Sequence, residues 1–392
     1  MSALMPTYKR LPVAFSHGEG ARLYDLSGRD YLDGLSGIAV TNLGHSHPAV
    51  TAAICEQAST LAHTSNLFVI PQQERLASEL TAITGMERVF FCNSGAEANE
   101  AAIKLARHYG HDRGVNNPTI VVLEQAFHGR TMGALAASAG TGMQTPFAPM
   151  LGGFVRVASN DLAAIKVLTQ THSNIVAVML EPVQGEGGVR PLDLDYLIGL
   201  RQLCDEQQWL LMFDEVQTGN GRCGDFYAFM RLGIVPDVLS TAKGLGNGFP
   251  IGACMARGDA AAVMTPGDHG TTYGGNPIAC SAASAVFNTL SRQSLCSRAD
   301  PIRSAILDRF HTTLNDPSTV REVRGLGLMI GIEVTIPATE IVTTALTLGA
   351  IVNVTAGNTI RLLPPLIMSD DEASELGHIV AQVVNTLSER PL

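Results

Sequence analysis

The hydrophobic positions between residues 88 and 256 form short continuous runs separated by polar stretches. The runs are RVFF (88–91), TIVVL (119–123), IVAVML (175–180), LLMF (210–213), DVLS (237–240) and IGACMA (251–256). Strands that are apolar on both faces are typical of a parallel sheet covered by helices on each side. Amphipathic helical patterns lie between several runs, as at residues 97–109 and 194–207. The pattern therefore predicts an α/β fold built on a large, mainly parallel sheet.

Beyond about residue 285 the pattern of hydrophobic positions changes. A long helical stretch is followed by two strand-like runs, GLMIGIEV (327–334) and TIRLLPPL (359–366), and then by a C-terminal helix. The first forty or so residues instead alternate short runs with glycines, which is typical of strands and turns. Because 392 residues exceed the usual size of a single core, we predict three parts. They are an N-terminal segment packing with the small domain (1–48), a large domain (49–287) and a small α+β domain (288–392).

Composition excludes several classes of function. Hydrophobic residues make up 46% of the chain and charged residues 16%, which suits a packed core rather than disorder. The formal net charge of −10 argues against nucleic acid or an anionic membrane as a partner. The seven cysteines form no CxxC pair, so reduced thiols fit better than a disulfide framework or a zinc site. With no leader-like start and no long apolar run, we expect a cytoplasmic protein.

Lys243 stands out among the chain's four lysines. It follows the end of a predicted strand, within Ser240-Thr-Ala-Lys-Gly-Leu-Gly-Asn-Gly248, where small residues let a bulky planar ligand approach the backbone. A poorly hydrated ammonium loses its proton more readily, and the neutral amine can then attack an aldehyde. A solvated loop lysine is the ordinary alternative.

Asp214 strengthens the case for Lys243. It directly follows the run LLMF, and polar residues at that end of parallel strands face the ligand crevice. An amine and a carboxylate there suit pyridoxal phosphate, because the acid keeps the ring nitrogen protonated and the ring can then accept electrons. Gln217, three residues on, is placed to reach the ring hydroxyl. A structural role for Asp214 alone is the alternative.

Two further stretches carry candidate ligand groups. In Asn93-Ser-Gly-Ala-Glu-Ala-Asn99 the amides of Gly95 and Ala96 would face an anion at the positive end of a helix. After the run TIVVL, Phe127 is able to stack on a ring and Arg130 to bind a carboxylate with two hydrogen bonds. Taken singly, each of these signals is weak.

Together these residues resemble a known family, the class III, fold type I, pyridoxal-phosphate aminotransferases, and within it the acetylornithine aminotransferases. The resemblance runs from about Leu11 to Leu366. Its motifs are NSGAEAN (93–99), FHGRT (127–131), EPVQGEGG (181–188), FDEVQTG (213–219), AKG (242–244) and HGTTYGGNP (269–277). Their order and spacing are highly specific for the class and less specific for the substrate.

The resemblance implies a role for each motif. Lys243 would carry the cofactor and shuttle the proton, with Asp214 and Gln217 on the ring nitrogen and hydroxyl. Phe127 would stack on the ring, and Gly95 and Ala96 would bind the phosphate. Thr272 would reach the phosphate of the neighbouring subunit, with Thr271 beside it near the substrate. Two chains would then build each site, so the resemblance implies a homodimer.

The resemblance also implies how substrates are sorted. Arg130 would bind one carboxylate of the substrate in both half-reactions. Glu186 would pair with Arg361 while a distal amine reacts, and would swing away so that Arg361 can bind the α-carboxylate of glutamate. Ile38 stands where ornithine aminotransferases carry a tyrosine, which leaves room for an acyl group. The expected reaction moves the δ-amine of N2-acetyl-L-ornithine to 2-oxoglutarate, a step of arginine biosynthesis.

Other functions stay open or are disfavoured on the sequence. Succinylornithine, ornithine and 4-aminobutyrate remain alternative donors, and a non-catalytic protein that binds the cofactor remains an alternative class. His45 and His47 lack convincing further ligands, so no metal site is expected. Residues 244–248 are glycine-rich but do not form the GxGxxG of nicotinamide-binding proteins.

Overall fold

A computed structural model describes residues 3–389 of the chain. The strands are β1 (Phe15–Glu19), β2 (Arg22–Asp25), β3 (Asp30–Asp33), β4 (Arg88–Cys92), β5 (Thr119–Leu123), β6 (Phe154–Val157), β7 (Ile175–Leu180), β8 (Val183–Gln184), β9 (Arg190–Pro191), β10 (Leu210–Asp214), β11 (Val238–Thr241), β12 (Gly252–Ala256), β13 (Val320–Leu326), β14 (Met329–Val334), β15 (Ala350–Ile351), β16 (Asn353–Thr355) and β17 (Thr359–Leu362). The helical segments are α1 (Ser36–Ala39), α2 (Pro48–Thr60), α3 (Pro71–Thr84), α4 (Gly95–Asp112), α5 (Met132–Ala137), α6 (Thr141–Gln144), α7 (Leu162–Thr171), α8 (Leu194–Gln207), α9 (Ala228–Leu232), α10 (Pro277–Arg292), α11 (Ala299–Thr313), α12 (Ile341–Thr347) and α13 (Asp370–Ser388).

The central sheet has the strand order β4-β12-β11-β10-β7-β5-β6. All six predicted strands are present in it, so the predicted α/β class is confirmed. The pairs β5–β6, β5–β7, β7–β10 and β10–β11 are parallel, whereas β12 runs antiparallel to β11 and β4. The hydrophobic pattern did not predict the reversal of β12 or the edge strand β6. Edge strand β6 carries the exposed Arg156 and therefore lacks a continuous apolar run.

Both faces of the central sheet are covered, as its apolar strands predicted. Along β5, Ile120 and Val122 belong to one hydrophobic cluster, and Val121 and Leu123 belong to another. Successive side chains of a strand point to opposite faces, so each cluster fills one side of the sheet. All of β5, β7 and β10 is buried. The helix α4 covers one face, beside β11 and β12.

A second, antiparallel sheet lies in the C-terminal part, with strand order β13-β14-β17-β16. The helices α11 and α13 pack against each other. The N-terminal sheet β1-β2-β3 continues into β15 through a parallel β3–β15 pair, so residues 15–33 contact the C-terminal part. The predicted boundaries after residues 48 and 287 stay predictions, and α10 extends across the second of them.

Helix α13, with 19 residues, begins with a capping box. The Ser369 side chain accepts from the amide of Glu372, and the Glu372 carboxylate accepts from the amide of Ser369. Two amides that have no acceptor within the helix are thereby satisfied. No helix within residues 3–389 is long and apolar enough to cross a membrane.

The close approach of α11 and α13 yields a stability prediction. A Cβ atom at Gly377 would lie 2.1 Å from the carbonyl oxygen of Ile306. We therefore expect Gly377→Ala to lower the free energy of unfolding by about 1–3 kcal/mol, because the two helices must separate. Denaturant titration would measure the loss. Gly142→Ala is the matched control, since a Cβ atom there meets nothing within 4 Å; equal stability of the two variants would contradict the prediction.

Candidate active site

Most of the residues singled out from the sequence meet at the carboxyl ends of the central strands. A cavity of about 410 Å³ opens there. The predicted residues that line it are Gly95, Ala96, Phe127, Arg130, Glu186, Asp214, Gln217 and Lys243. Parallel strands end at a common edge, so β4, β5, β7, β10 and β11 bring distant parts of the chain to one place.

Lys243 follows β11 and opens a short 3₁₀ turn. Its backbone φ is +46°, a left-handed conformation that costs a residue with a side chain about 1–2 kcal/mol. The Asn220 side chain donates to the carbonyl of Ala242 at 3.2 Å and so holds the preceding peptide. Burial lowers the pKa of the Lys243 amine and outweighs the opposing effect of the Asp214 charge. The neutral, nucleophilic amine is thereby favoured.

Asp214 ends β10 as a buried carboxylate with three hydrogen-bond donors. One oxygen accepts from the amide of Val216 at 3.0 Å. The other accepts from Asn99 Nδ2 at 2.7 Å and lies 2.8 Å from His128 Nδ1. Hydrogen bonds to both oxygens fix the direction of the carboxylate. The arrangement suits a carboxylate that must keep a neighbouring ring nitrogen protonated.

Sequence reasoning assigned no role to three buried residues around Asp214. They are Asn99, His128 and Glu181, and all three line the cavity. Burial alone would lower the pKa of His128, but the hydrogen bond and charge of Asp214 raise it overall. Burial raises the pKa of Glu181 to about 7. Asn99 and His128 stand inside the quoted motifs, but spacing alone does not show that both point at Asp214.

The first turn of α4 forms an anion cradle. Ser94 caps the helix by accepting from the amide of Glu97 at 3.2 Å. The first backbone bond of the helix is donated by Ala98 to Ser94, so the amides of Gly95 and Ala96 have no intrahelical acceptor. A Cβ atom at Gly95 would lie 2.6 Å from Val216 Cγ1, so glycine lets the turn approach the 214–217 segment.

Phe127 and Arg130 lie together on the loop after β5. The Phe127 amide donates to a Glu181 carboxylate oxygen at 2.9 Å. The guanidinium carbon of Arg130 lies 5.7 Å from the centre of the Phe127 ring. The exposed Arg130 therefore sits at the cavity wall with its charge available to a ligand.

Glu186 and Arg361 form an ion pair with an oxygen–nitrogen distance of 2.6 Å. Arg361 is fully buried on β17, whereas the Glu186 side chain is 40% exposed. Arg361 Nε donates to Asn353 Oδ1 at 3.1 Å, and Arg361 Nη2 is buried with no hydrogen-bond partner within residues 3–389. A buried cation without its counter-charge costs about 3–5 kcal/mol. The pair therefore unites a fixed cation with an acid that has room to move.

The structure places the two predicted threonines at and beyond the cavity edge. Thr271 Oγ1 accepts from Asn93 Nδ2 at 3.5 Å, and Asn93 lines the cavity. Thr272 is exposed and is not part of the cavity lining. Their predicted roles stay predictions for this chain.

Ile38 lies in a turn of unusual backbone conformation. All four residues of α1 have positive φ, at 50° for Ser36, 62° for Gly37, 69° for Ile38 and 59° for Ala39. The buried Asp33 carboxylate accepts from the amides of Leu35 and Ser36 and thereby stabilises the turn. Val40, which comes directly after α1, lines the cavity. Strain of this kind is typical of functional sites.

These groups fit pyridoxal phosphate. The cavity offers an amine at Lys243, a buried carboxylate at Asp214 and free amides in the first turn of α4. Phe127 and Val216 add apolar surface for a planar ring. Within residues 3–389 no cluster of three or more His, Cys, Asp or Glu residues is placed to hold a metal ion.

The pKa of Lys243 yields a prediction for the cofactor-free protein. The neutral amine reacts with acylating reagents, so competitive acetylation of Lys243 should reach half its maximum at a lower pH than that of the exposed Lys166. Peptide mapping by mass spectrometry follows both lysines in one sample. Asp214→Asn should lower the pH midpoint of Lys243 acetylation further, because the Asp214 charge raises the pKa of the Lys243 amine. Equal midpoints for Lys243 and Lys166 would contradict the burial argument.

Comparison with known proteins identifies the family of the chain. The model of the family "Aminotransferase class-III" matches residues 4–384. An acetylornithine aminotransferase of Nitrosomonas europaea is 50% identical over 389 residues, which cover 99% of each chain.

Two solved structures are also similar. The acetylornithine aminotransferase of Elizabethkingia anophelis has a TM-score of 0.87 and 32% identity, covering 97% of this chain and 96% of that one. An ornithine aminotransferase of Toxoplasma gondii, described with pyridoxal phosphate in partial occupancy at its active site, has a TM-score of 0.94 and 32% identity, covering 99% and 93%. The predicted family is confirmed: the chain belongs to the class III, pyridoxal-phosphate-dependent aminotransferases.

Proposed function

We propose that the chain transfers the δ-amino group of N2-acetyl-L-ornithine to 2-oxoglutarate. The products are N-acetyl-L-glutamate 5-semialdehyde and L-glutamate, and the reaction belongs to arginine biosynthesis. The observation that carries the proposal is the 2.6 Å ion pair between the partly exposed Glu186 and the buried Arg361, beside the cavity that Lys243 and Asp214 line. The relative in Nitrosomonas europaea, named an acetylornithine aminotransferase, supports the same reaction.

Bound pyridoxal phosphate supplies an aldehyde that takes up the amino group and a ring that accepts electrons. The Lys243 amine would remove the proton from the substrate carbon that bears the reacting nitrogen, and would deliver it to the carbon on the other side of that nitrogen. Asp214, held by Asn99 and His128, keeps the ring nitrogen protonated. The amides of Gly95 and Ala96 bind the phosphate, and Phe127 and Gln217 orient the ring.

The two half-reactions place different demands on Arg361. A donor that reacts through its δ-amine brings no carboxylate next to the reacting carbon, so Glu186 stays paired with Arg361 and neutralises it. Glutamate brings its α-carboxylate to that place, and Glu186 rotates toward solvent to release the guanidinium. Arg130 binds the distal carboxylate in both cases. The free Nη2 donor of Arg361, which has no partner within residues 3–389, supports this assignment.

The cavity wall near α1 supports an acylated donor. Val40 lines the cavity there, and the nearby Ile38 of α1 is 37% exposed, so both offer aliphatic side chains. Neither side chain donates a hydrogen bond, so neither adds a polar partner for a free α-ammonium group. An N-acetyl group, which is uncharged and carries a methyl, suits this surface better.

We propose further that the chain works as a homodimer in which each active site is shared. Large apolar side chains are exposed on the loop before α3 and next to Thr272, with Leu67 88%, Phe68 68%, Val69 80% and Tyr273 63% exposed. Asn66 ties the two segments together by donating to the carbonyls of Thr271 and Gly274. A cluster of this kind is typical of a protein interface, and a second copy would bring Thr272 to the partner's phosphate.

We place the protein in the cytoplasm. All seven cysteines are free thiols, and five of them are buried within residues 3–389. Thiols that stay reduced are typical of proteins in a reducing compartment.

Replacement of Lys243 tests the function. Lys243→Ala should reduce amino transfer from acetylornithine by about 10²–10⁴-fold or more, because the proton shuttle is lost. Single-turnover absorbance changes of the bound cofactor measure each half-reaction, with glutamate, acetylornithine, ornithine and 4-aminobutyrate as donors. Lys166→Ala, at an exposed lysine, is the matched control and should keep full activity. Wild-type protein that reacts with glutamate but prefers another amine to acetylornithine would contradict the proposed substrate.

Subunit complementation tests the shared site. Thr272→Glu should repel the phosphate of the partner's cofactor, and Lys243→Ala inactivates its own site. Hybrid dimers of these two variants should recover about half of the wild-type activity, because one of the two sites then has both groups intact. Hybrids of Lys243→Ala with Asp214→Ala are the control and should be much less active. Inactive hybrids of the first pair would contradict a site shared through Thr272.

A further inference from the structure

Glu186 lies on a short, closely surrounded hairpin loop. Residues 185–189 join β8 to β9, which pair as antiparallel strands. A Cβ atom at Gly185 would lie 2.1 Å from Gln217 Oε1, and one at Gly187 would lie 2.9 Å from the carbonyl oxygen of Gln125. Because these two glycines have no Cβ atom, Gln217 and Gln125 can approach the loop closely from two sides.

Two side chains of the C-terminal sheet bind the backbone of this loop. Thr355 Oγ1, at the end of β16, donates to the carbonyl of Glu186 at 2.6 Å. Arg324 Nε, on β13, donates to the carbonyl of Gly188 at 2.9 Å. Thr355 is 6% exposed and Arg324 is 8% exposed, so water competes poorly for either carbonyl.

Val189 gives independent support for a constrained loop. Its φ is +54°, which is an outlier for a β-branched residue and persists only where the surroundings enforce it. The side chain is fully buried, and a Cβ atom at Gly331 would lie 2.8 Å from Val189 Cβ. The loop thus ends on a strained residue that is held against β14.

Arg324 is itself held in place. Its Nη1 lies 2.7 Å from the buried Glu333 carboxylate and 2.6 Å from Glu322, and its Nη2 donates to Thr359 Oγ1 at 3.0 Å. The hydrogen bond from Arg324 lowers the pKa of Glu333, so this carboxylate stays ionised near neutral pH. The guanidinium therefore has little freedom to follow a moving loop.

We propose that Thr355 and Arg324 are positioning residues that clamp the backbone of the 185–189 loop. The exchange between the two amino donors is then a rotation of the Glu186 side chain, without opening of the loop. The inference rests on a contrast within the loop. The backbone carbonyls of Glu186 and Gly188 are hydrogen-bonded, whereas the Glu186 side chain is 40% exposed. The inference also rests on the proposed function, and it adds two residues outside the cavity lining that determine donor preference.

The first test removes one hydroxyl. Thr355→Val keeps the branched shape but loses the donor to Glu186, and Thr355→Ser keeps the donor. In the holoenzyme, Thr355→Val should lower the ratio of kcat/KM for acetylornithine to kcat/KM for glutamate by roughly tenfold or more, since small displacements of a catalytic group are costly. Glu186→Ala serves as a reference, because the ratio in Thr355→Val should change in the same direction as in that variant. Thr355→Ser should keep the wild-type ratio. An unchanged ratio in Thr355→Val would overturn the proposal.

The second test measures the loop without relying on turnover. Hydrogen exchange of the holoenzyme, followed by mass spectrometry, should show faster exchange of amides 186–190 in Thr355→Val and in Arg324→Met. Arg321→Met is the matched control. The exposed Arg321 pairs with the same Glu333 carboxylate at 3.0 Å, but within residues 3–389 it has no hydrogen bond to the 185–189 loop. Equal exchange in Arg324→Met and Arg321→Met would overturn the clamp.

The two tests separate the clamp from the proposed function. Wild-type protein that transfers no amine from acetylornithine refutes the proposed function, while the exchange rates still test the clamp. Wild-type protein with the expected donor preference, together with an unchanged ratio and unchanged exchange in Thr355→Val, refutes the clamp alone.

Discussion

The buried carboxylate of Asp214 sets the arrangement of charge in the whole site. Three donors hold it at the end of β10, and two of them, Asn99 and His128, come from α4 and from the loop after β5. These hydrogen bonds fix the position and direction of the carboxylate in the cavity, which the Lys243 amine also lines. Burial favours the uncharged form of that amine. A carboxylate held in a fixed direction and a nucleophilic amine in one cavity are what a pyridine ring and its aldehyde require.

Glu186 and Arg361 form a second pair of charges. In the proposed function this pair recognises substrate carboxylates and takes no part in the proton transfer. Arg361 is fully buried and is fixed by Asn353, whereas its partner Glu186 is partly exposed. The cost of an unpaired buried cation makes a bound carboxylate necessary at all times. Glu186 meets this need in the structure, and in the proposed function a substrate carboxylate replaces it. The loop at residues 185–189 joins β8 to β9, and its backbone is bound by side chains of the distant strands β13 and β16.

Much of the fold was predictable because apolar strands and amphipathic helices have different periods along the chain. All six predicted strands of the central sheet are present, and α8 matches its predicted bounds. The reversal of β12 was not predictable, since direction depends on connections rather than on apolar content. The left-handed turn at residues 36–39 was also missed, because Ile38 and Ala39 adopt a conformation that their residue types disfavour. Local propensity gives no warning where tertiary contacts enforce strain.

The order of residues along the chain was enough to predict the α/β class, the family and eight of the residues that line the cavity, because these follow from local periodicity and from ordered motifs. How those residues act on one another became known only from their positions in space. Asn99 and Asp214 lie 115 positions apart, and Thr355 and Glu186 lie 169 apart, yet each pair is joined by one hydrogen bond. Bonds of this kind depend on distances set by how helices, strands and loops pack together, and no pattern along the chain contains those distances.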